Sequence, residues 1–210
     1  MPRRIESFFV AGPAGRLEAV LDEPEHGAAA EAALVCHPNP QGGGTMHNKV
    51  VYRLARGLRK AGCVVLRFNY RGVNLSEGTF AHGVGETDDA RVVLAELRRR
   101  YPDLPVAMAG FSFGSRIALR IALEDPLVAR VIAVGFPTKY PKNEYVRDVT
   151  TKKYFIQSTN DEFGPRTDMQ DFFATLKEPK EITWVESEDH FFRNSLDAYE
   201  TEVQRIGKLH

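Results

Sequence analysis

Val106-Ala107-Met108-Ala109-Gly110-Phe111-Ser112-Phe113-Gly114 decides how the rest of this chain is read. An apolar run feeds a G-x-S-x-G pentapeptide and then a helical pattern through Ile117, Ala118, Leu119, Ile121, Ala122 and Leu123. Strand, sharp turn and helix in that order read as a nucleophile elbow: the serine sits in strained backbone, and the flanking glycines leave room for neighbouring segments. The start of the following helix favours negative charge beside that hydroxyl. The pentapeptide alone is a modest signal, and its context is what raises it.

Outward from the elbow, short apolar runs recur at Ala33–Cys36, Cys63–Phe68, Val106–Ala109, Val131–Val134, Tyr154–Ile156 and Ile182–Val185. Helical patterns lie between most of them, over 49–60, 86–100, 115–123 and 167–176, with a last one from about Ser195. This alternation predicts a mostly parallel α/β sheet covered by helices on both faces. Ile5–Val10 and Leu17–Leu21, around Gly12-Pro13-Ala14-Gly15, predict an antiparallel opening pair. Glu25 to Glu31 is small and polar and reads as a surface loop. Pro137 to Lys152 is turn-rich but too short for an inserted lid domain.

The 210 residues are expected to form a single domain, 1–210. With 28 basic and 28 acidic residues the formal net charge is zero, so no electrostatic footprint for nucleic acid or an anionic membrane is present. Arg98-Arg99-Arg100 reads as a helix end, where cations suit the dipole. No apolar stretch is long enough to cross a bilayer, and no export signal is read at the N-terminus, so a cytoplasmic location is expected. Cys36 and Cys63 fall at opposite ends of consecutive strands. Parallel pairing of those strands would hold the thiols about 16 Å apart and unbridged. Monomer and homodimer both stay open.

A serine hydroxyl needs a base to take its proton, and the base needs a carboxylate to hold its tautomer. Of six histidines, His190 follows the last predicted strand, at the sheet end where catalytic groups converge. His26 and His210 are expected in solvent. Asp161, in Ser158-Thr159-Asn160-Asp161-Glu162, lies just past the preceding strand; Glu162 is its local rival and Asp168 a weaker one. The order Ser112, Asp161, His190 is the order expected after an elbow of this type. A nascent oxyanion needs two donors. The Phe113 N–H is one, and in His37-Pro38-Asn39-Pro40-Gln41-Gly42-Gly43-Gly44 the prolines leave Asn39 as the other. Those glycines do not make a nucleotide site, since neither a P-loop lysine nor G-x-G-x-x-G is present, so no cofactor is expected.

These stretches together resemble the small, lidless bacterial α/β-hydrolases related to dienelactone hydrolase. The resemblance rests on His37-Pro38-Asn39-Pro40 with Gly42 to Val51, Arg67 to Val73 with Ser76-Glu77-Gly78, Gly110 to Gly114, and Asp189-His190-Phe191-Phe192. It implies an eight-stranded, mostly parallel α/β-hydrolase sheet flanked by helices. It also implies a serine esterase acting on small acyl esters with Ser112, Asp161 and His190 as triad. Ser158-Thr159 stands where relatives carry Gly-Asp. Dienelactone hydrolase uses a cysteine nucleophile, so its lactone substrate does not carry over.

Asn69, Tyr70 and Arg71 could shape a pocket or orient a loop. His37 is expected to brace the oxyanion loop and His47, at a helix start, to face solvent. His37, His47 and His82 match no metal-ligand spacing, so no metal is expected. Phe111, Phe113, Phe191 and Phe192 read as core more than as acyl pocket. The reading is a small-molecule carboxylic ester hydrolase preferring short acyl chains. A thioesterase or small-peptide hydrolase would use the same groups, and a non-catalytic ligand-binding protein of the same fold is the remaining class.

Overall fold

The computed structural model describes residues 4–24 and 27–209. Eight strands form one sheet in the order β1-β2-β4-β3-β5-β6-β7-β8. β1 (Ile5–Gly12) and β2 (Gly15–Asp22) are the antiparallel opening pair, and β2 joins β4 (Cys63–Phe68) antiparallel. From β4 onward every pairing is parallel, through β3 (Glu31–Cys36), β5 (Val106–Phe111), β6 (Val128–Val134), β7 (Lys152–Ser158) and β8 (Lys180–Val185).

Residue type follows position in this sheet. β3, β4 and β5 are buried at every residue, which is why they read as continuous apolar runs, whereas edge strand β1 alternates and exposes Phe9. One face carries α1 (Lys49–Lys60) and α5 (Leu196–Gly207), whose Val50, Leu54, Leu58, Tyr199, Val203 and Ile206 share a core with β3, β4 and β5. The other face carries α2 (Val84–Arg100), α3 (Phe113–Glu124) and α4 (Arg166–Ala174), packing Leu94, Leu97, Ile117, Ile121 and Met169. The Pro137-to-Lys152 connection holds only one short 3₁₀ segment, Glu144–Asp148, and no lid.

β3, β6 and β7 run longer than the apolar pattern suggests because the buried charges Glu31, Arg130 and Lys153 interrupt it. Glu31 belongs to β3 and not to the polar loop before it. It is buried and accepts from Arg130 Nε at 2.9 Å, so β6 begins at Val128 and runs through that arginine. Arg130 also donates to Ile206 O at 2.6 Å and Gly207 O at 3.0 Å, tying down the last carbonyls of α5. Glu31 lies opposite Cys63 in the β3–β4 register, so Cys36 is a strand length away, and both thiols are free and buried. Arg98, Arg99 and Arg100 cap α2 and pair with Asp125, Glu96 and Glu6. His26 and His210 lie outside the described residues.

Candidate active site

Ser112 stands between β5 and α3 at φ 55° and ψ −119°, a left-handed strain that a non-glycine residue rarely bears. Its N–H donates to Val134 O at 2.8 Å, pinning the turn to the end of β6, and its carbonyl accepts from Ser115 N–H at 3.0 Å and Ser115 Oγ at 2.6 Å. The flanking glycines are required by space. A Cβ on Gly110 would lie 2.2 Å from Gly114 O, and one on Gly114 would lie 2.2 Å from Cys36 O and 2.7 Å from His37 O. The start of α3 therefore touches the backbone leaving β3.

That contact brings together the two segments expected to donate to an oxyanion. Phe113 is the first residue of α3, where backbone N–H groups have no intrahelical acceptor. Asn39 caps a 3₁₀ turn, Pro40–Gly42: its Oδ1 accepts from Gln41 N–H at 3.0 Å, and its carbonyl accepts from Gly42 and Gly44 N–H, each at 3.0 Å. His37 holds this loop from beneath. Nδ1 donates to Pro38 O at 2.7 Å and Nε2 accepts from Tyr70 N–H at 3.2 Å, so the ring is locked in one neutral tautomer. Burial pushes its pKa down to about 3.

Asp161 lies beyond β7 and His190 beyond β8, and the structure brings them together. His190 Nδ1 donates to Asp161 Oδ2 at 2.7 Å. The same oxygen accepts from Gln157 Nε2 at 3.0 Å, while Oδ1 accepts from the N–H groups of Phe163 at 2.8 Å and Gly164 at 2.9 Å. All four partners are donors, which a carboxylate satisfies and which assigns the proton to His190 Nδ1. Glu162 is placed elsewhere: its Oε2 accepts from the backbone N–H of His190 at 3.0 Å and does not meet the ring. Asp168 is exposed in the first turn of α4.

The His190 imidazole is 2 % exposed and walled by aromatic rings, with centroids 4.7 Å from Phe111, 4.8 Å from Phe163 and 5.4 Å from Phe191. Phe111 immediately precedes Ser112, so the ring lies beside the elbow, although no hydrogen bond joins it to the Ser112 hydroxyl in this structure. Such contacts often tighten only when substrate binds. Gly135, at φ +53°, makes the approach possible, since a Cβ there would sit 3.0 Å from His190 Cε1 and 2.8 Å from Phe111 Cε2.

Three features escaped the sequence reading. Gln157 is fully buried in β7; its Oε1 accepts from Phe136 N–H at 2.9 Å while its amide holds Asp161 and Gly164 O. A glutamine flanked by an apolar strand run was the available signal, because a buried amide must be paired. Asn160 Nδ2 donates to Ser187 O at 2.6 Å, and Ser187 Oγ donates to Ser158 Oγ at 2.7 Å, joining the loops of Asp161 and His190. Ser158, at the departure from the relatives' pattern, thus serves loop positioning. Phe163 is the third, a ring against His190 that nothing in its local pattern announces.

Asn69, Tyr70 and Arg71 orient loops. Asn69 Oδ1 accepts from Met46 N–H at 2.8 Å, Tyr70 packs its ring 4.4 Å from His37, and Arg71 forks onto Asp89 at 2.7 Å. Phe111 and Phe192 are core, Phe113 is half-buried, Phe191 is exposed, and His47 is exposed before α1.

Known proteins agree with this architecture. An α/β-serine-hydrolase homologue from Coxiella burnetii is 32% identical, with 96% of each chain covered and a TM-score of 0.92. A Xanthomonas campestris structure described as an α/β serine hydrolase without lid is 34% identical over 98% of this chain and 94% of its own, with a TM-score of 0.89. An uncharacterized protein of Rickettsia prowazekii is 33% identical over 93% of this chain and 86% of its own. The α/β-hydrolase domain family matches residues 33–209, and with the elbow, the sheet order and these relatives in hand, the chain belongs to that family.

Proposed function

We propose that the protein is a serine hydrolase that cleaves small carboxylic esters through an acyl-enzyme. The observation that carries this reading is the His190 ring, held by Asp161 in one tautomer and packed against Phe111, the residue before a strained Ser112. Ser112 Oγ attacks the ester carbonyl while His190 Nε2 takes its proton, and the N–H groups of Phe113 and Asn39 stabilise the oxyanion. The tetrahedral species collapses, and the alcohol leaves with the proton from His190. Water then repeats the sequence against the acyl-enzyme to release the acid and restore Ser112. Asp161 stabilises the imidazolium formed in each half.

The short connection after Pro137 leaves the site open and supports a preference for short acyl chains. Intact mass after incubation with a fluorophosphonate tests the reading without a guessed substrate. A single adduct on the wild type that vanishes in Ser112→Ala is expected. An equal adduct in both, or none on the folded wild type, refutes it. A following panel of acetyl-to-decanoyl esters and matched thioesters should show the shortest acyl chains turned over best; maximal activity on the longest would refute the open-site argument.

A further inference from the structure

The first turns of α3 do more than end the elbow. Phe113, Arg116, Ile117 and Arg120 follow i, i+3, i+4, i+7 spacing and so share one face of the helix, beginning at the residue next to Ser112. That face lines an open cleft of about 350 Å³ bordered by the start of α2 and by Lys142 and Tyr145. The cleft is cationic. Arg91 and Glu124 on its rim pair with each other, whereas Arg116, Arg120 and Lys142 meet no carboxylate among the described residues.

The arginines at the end of α2 and the buried Arg130 are all ion-paired. In the cleft, by contrast, the Arg116 Nε is buried with no hydrogen-bond partner, and only its Nη2 is satisfied, by Pro141 O at 2.8 Å. The Arg120 guanidinium lies 3.5 Å from the Tyr145 ring centroid, and the Tyr145 hydroxyl donates to Arg116 O at 2.7 Å. Both guanidiniums are thereby held in place with no carboxylate in ion-pairing range among the described residues. Four cations around a single carboxylate, Glu124, which Arg91 already engages, raise the local potential and favour an incoming anion.

We propose that this cleft binds an anionic oxygen group, carboxylate or phosphate, carried on the acyl or alcohol part of the ester that Ser112 attacks. The proposal rests on the catalytic reading of Ser112 and names its substrate class. Arg116 and Arg120 lie about 5 and about 10 Å along the helix axis from Phe113, the residue after Ser112. Guanidinium forks suit both anions.

The test compares kcat/KM for three charged esters with their neutral methyl-capped counterparts. Mono-para-nitrophenyl glutarate places a carboxylate on the acyl side, para-acetoxybenzoate places one on the alcohol side, and para-acetoxyphenyl phosphate places a phosphate there. The wild type should favour at least one charged member about tenfold over its neutral counterpart. That ratio should fall toward one in Arg120→Gln, be partly retained in Arg120→Lys, and fall by a smaller factor in the exposed Lys142→Gln, which guards against a packing artefact at Tyr145. Which pair responds distinguishes carboxylate from phosphate and acyl from alcohol side. Ratios near one in the wild type for all three pairs overturn the proposal, as does a preference that both Arg120→Gln and Lys142→Gln leave intact. Fluorophosphonate labelling of Ser112 without charged-ester preference overturns this inference alone; no labelling overturns it together with the catalytic reading.

Discussion

Replacing Asp161 by asparagine changes one atom in a pocket where every partner is a donor. If the asparagine oxygen keeps the N–H groups of Phe163 and Gly164, its new NH₂ faces His190 Nδ1 and Gln157 Nε2. Gln157 cannot flip to accept, because its Oε1 already takes Phe136 N–H at 2.9 Å and its amide faces the carbonyls of Phe136 and Gly164. The opposite asparagine rotamer is worse, leaving two backbone N–H groups facing a third donor. The first arrangement therefore wins, with one donor–donor conflict costing about 1–3 kcal/mol. For a chain of this size that is a loss of about 2–12 °C in Tm. The imidazole must move its proton to Nε2 to accept from the new NH₂, and it can then no longer take the Ser112 proton. Turnover should drop about ten-thousandfold, as when a triad carboxylate is replaced without disturbing geometry. Steady-state rates on a short acyl ester, beside thermal melts of Asp161→Asn and Glu162→Gln, measure both terms. Retention of activity within tenfold in Asp161→Asn, or a larger loss in Glu162→Gln, would refute the reasoning, since Glu162 touches only the His190 backbone.

Gly135→Ala places a methyl 3.0 Å from His190 Cε1 and 2.8 Å from Phe111 Cε2, so the imidazole must shift. We expect a folded protein, destabilised by about 1–3 kcal/mol, with turnover lowered more than substrate affinity; wild-type kcat would contradict the packing argument. His37 is neutral in the folded state, its pKa held at about 3 against an ordinary 6.5. Below pH 6.5 the unfolded chain binds a proton that the folded chain refuses, so stability is full above that pH and is lost as pH falls toward about 3. Urea melts at pH 6.5 and 5, above most carboxylate titrations, should show a loss approaching 1.4 kcal/mol per pH unit, roughly, at the lower end. His37→Gln should flatten that slope while lowering stability at neutral pH; equal slopes would show that His37 is not the group refusing the proton.

How much was legible depended on whether the signal was local. The central strands announced themselves because a parallel strand covered on both faces is apolar throughout, and the limits of β4 and α1 match the sequence pattern. The elbow was readable because its sharp turn demands small residues at fixed offsets, and the space at Gly110 and Gly114 is why. Strand starts at Glu31, Val128 and Lys152 were not, because each includes a charged residue whose partner lies far along the chain. A buried charge looks like a surface charge until its partner is in place.

The candidate site divides the same way. The sequence by itself determined the α/β alternation, the elbow at Ser112 and the order of Ser112, Asp161 and His190, since these depend on periodicity, spacing and the rule that loops at the strand C-termini converge. Only the tertiary structure decided which carboxylate meets the imidazole. Asp161 and Glu162 are adjacent and chemically alike, and the choice rests on Gln157, Phe163 and Gly164 turning one carboxylate inward while the other reaches a backbone N–H. It alone also gathered Arg116, Arg120 and Lys142 into one cleft with Phe113, the residue after Ser112. Charges on separate elements acquire a joint field only when folding sets their distances.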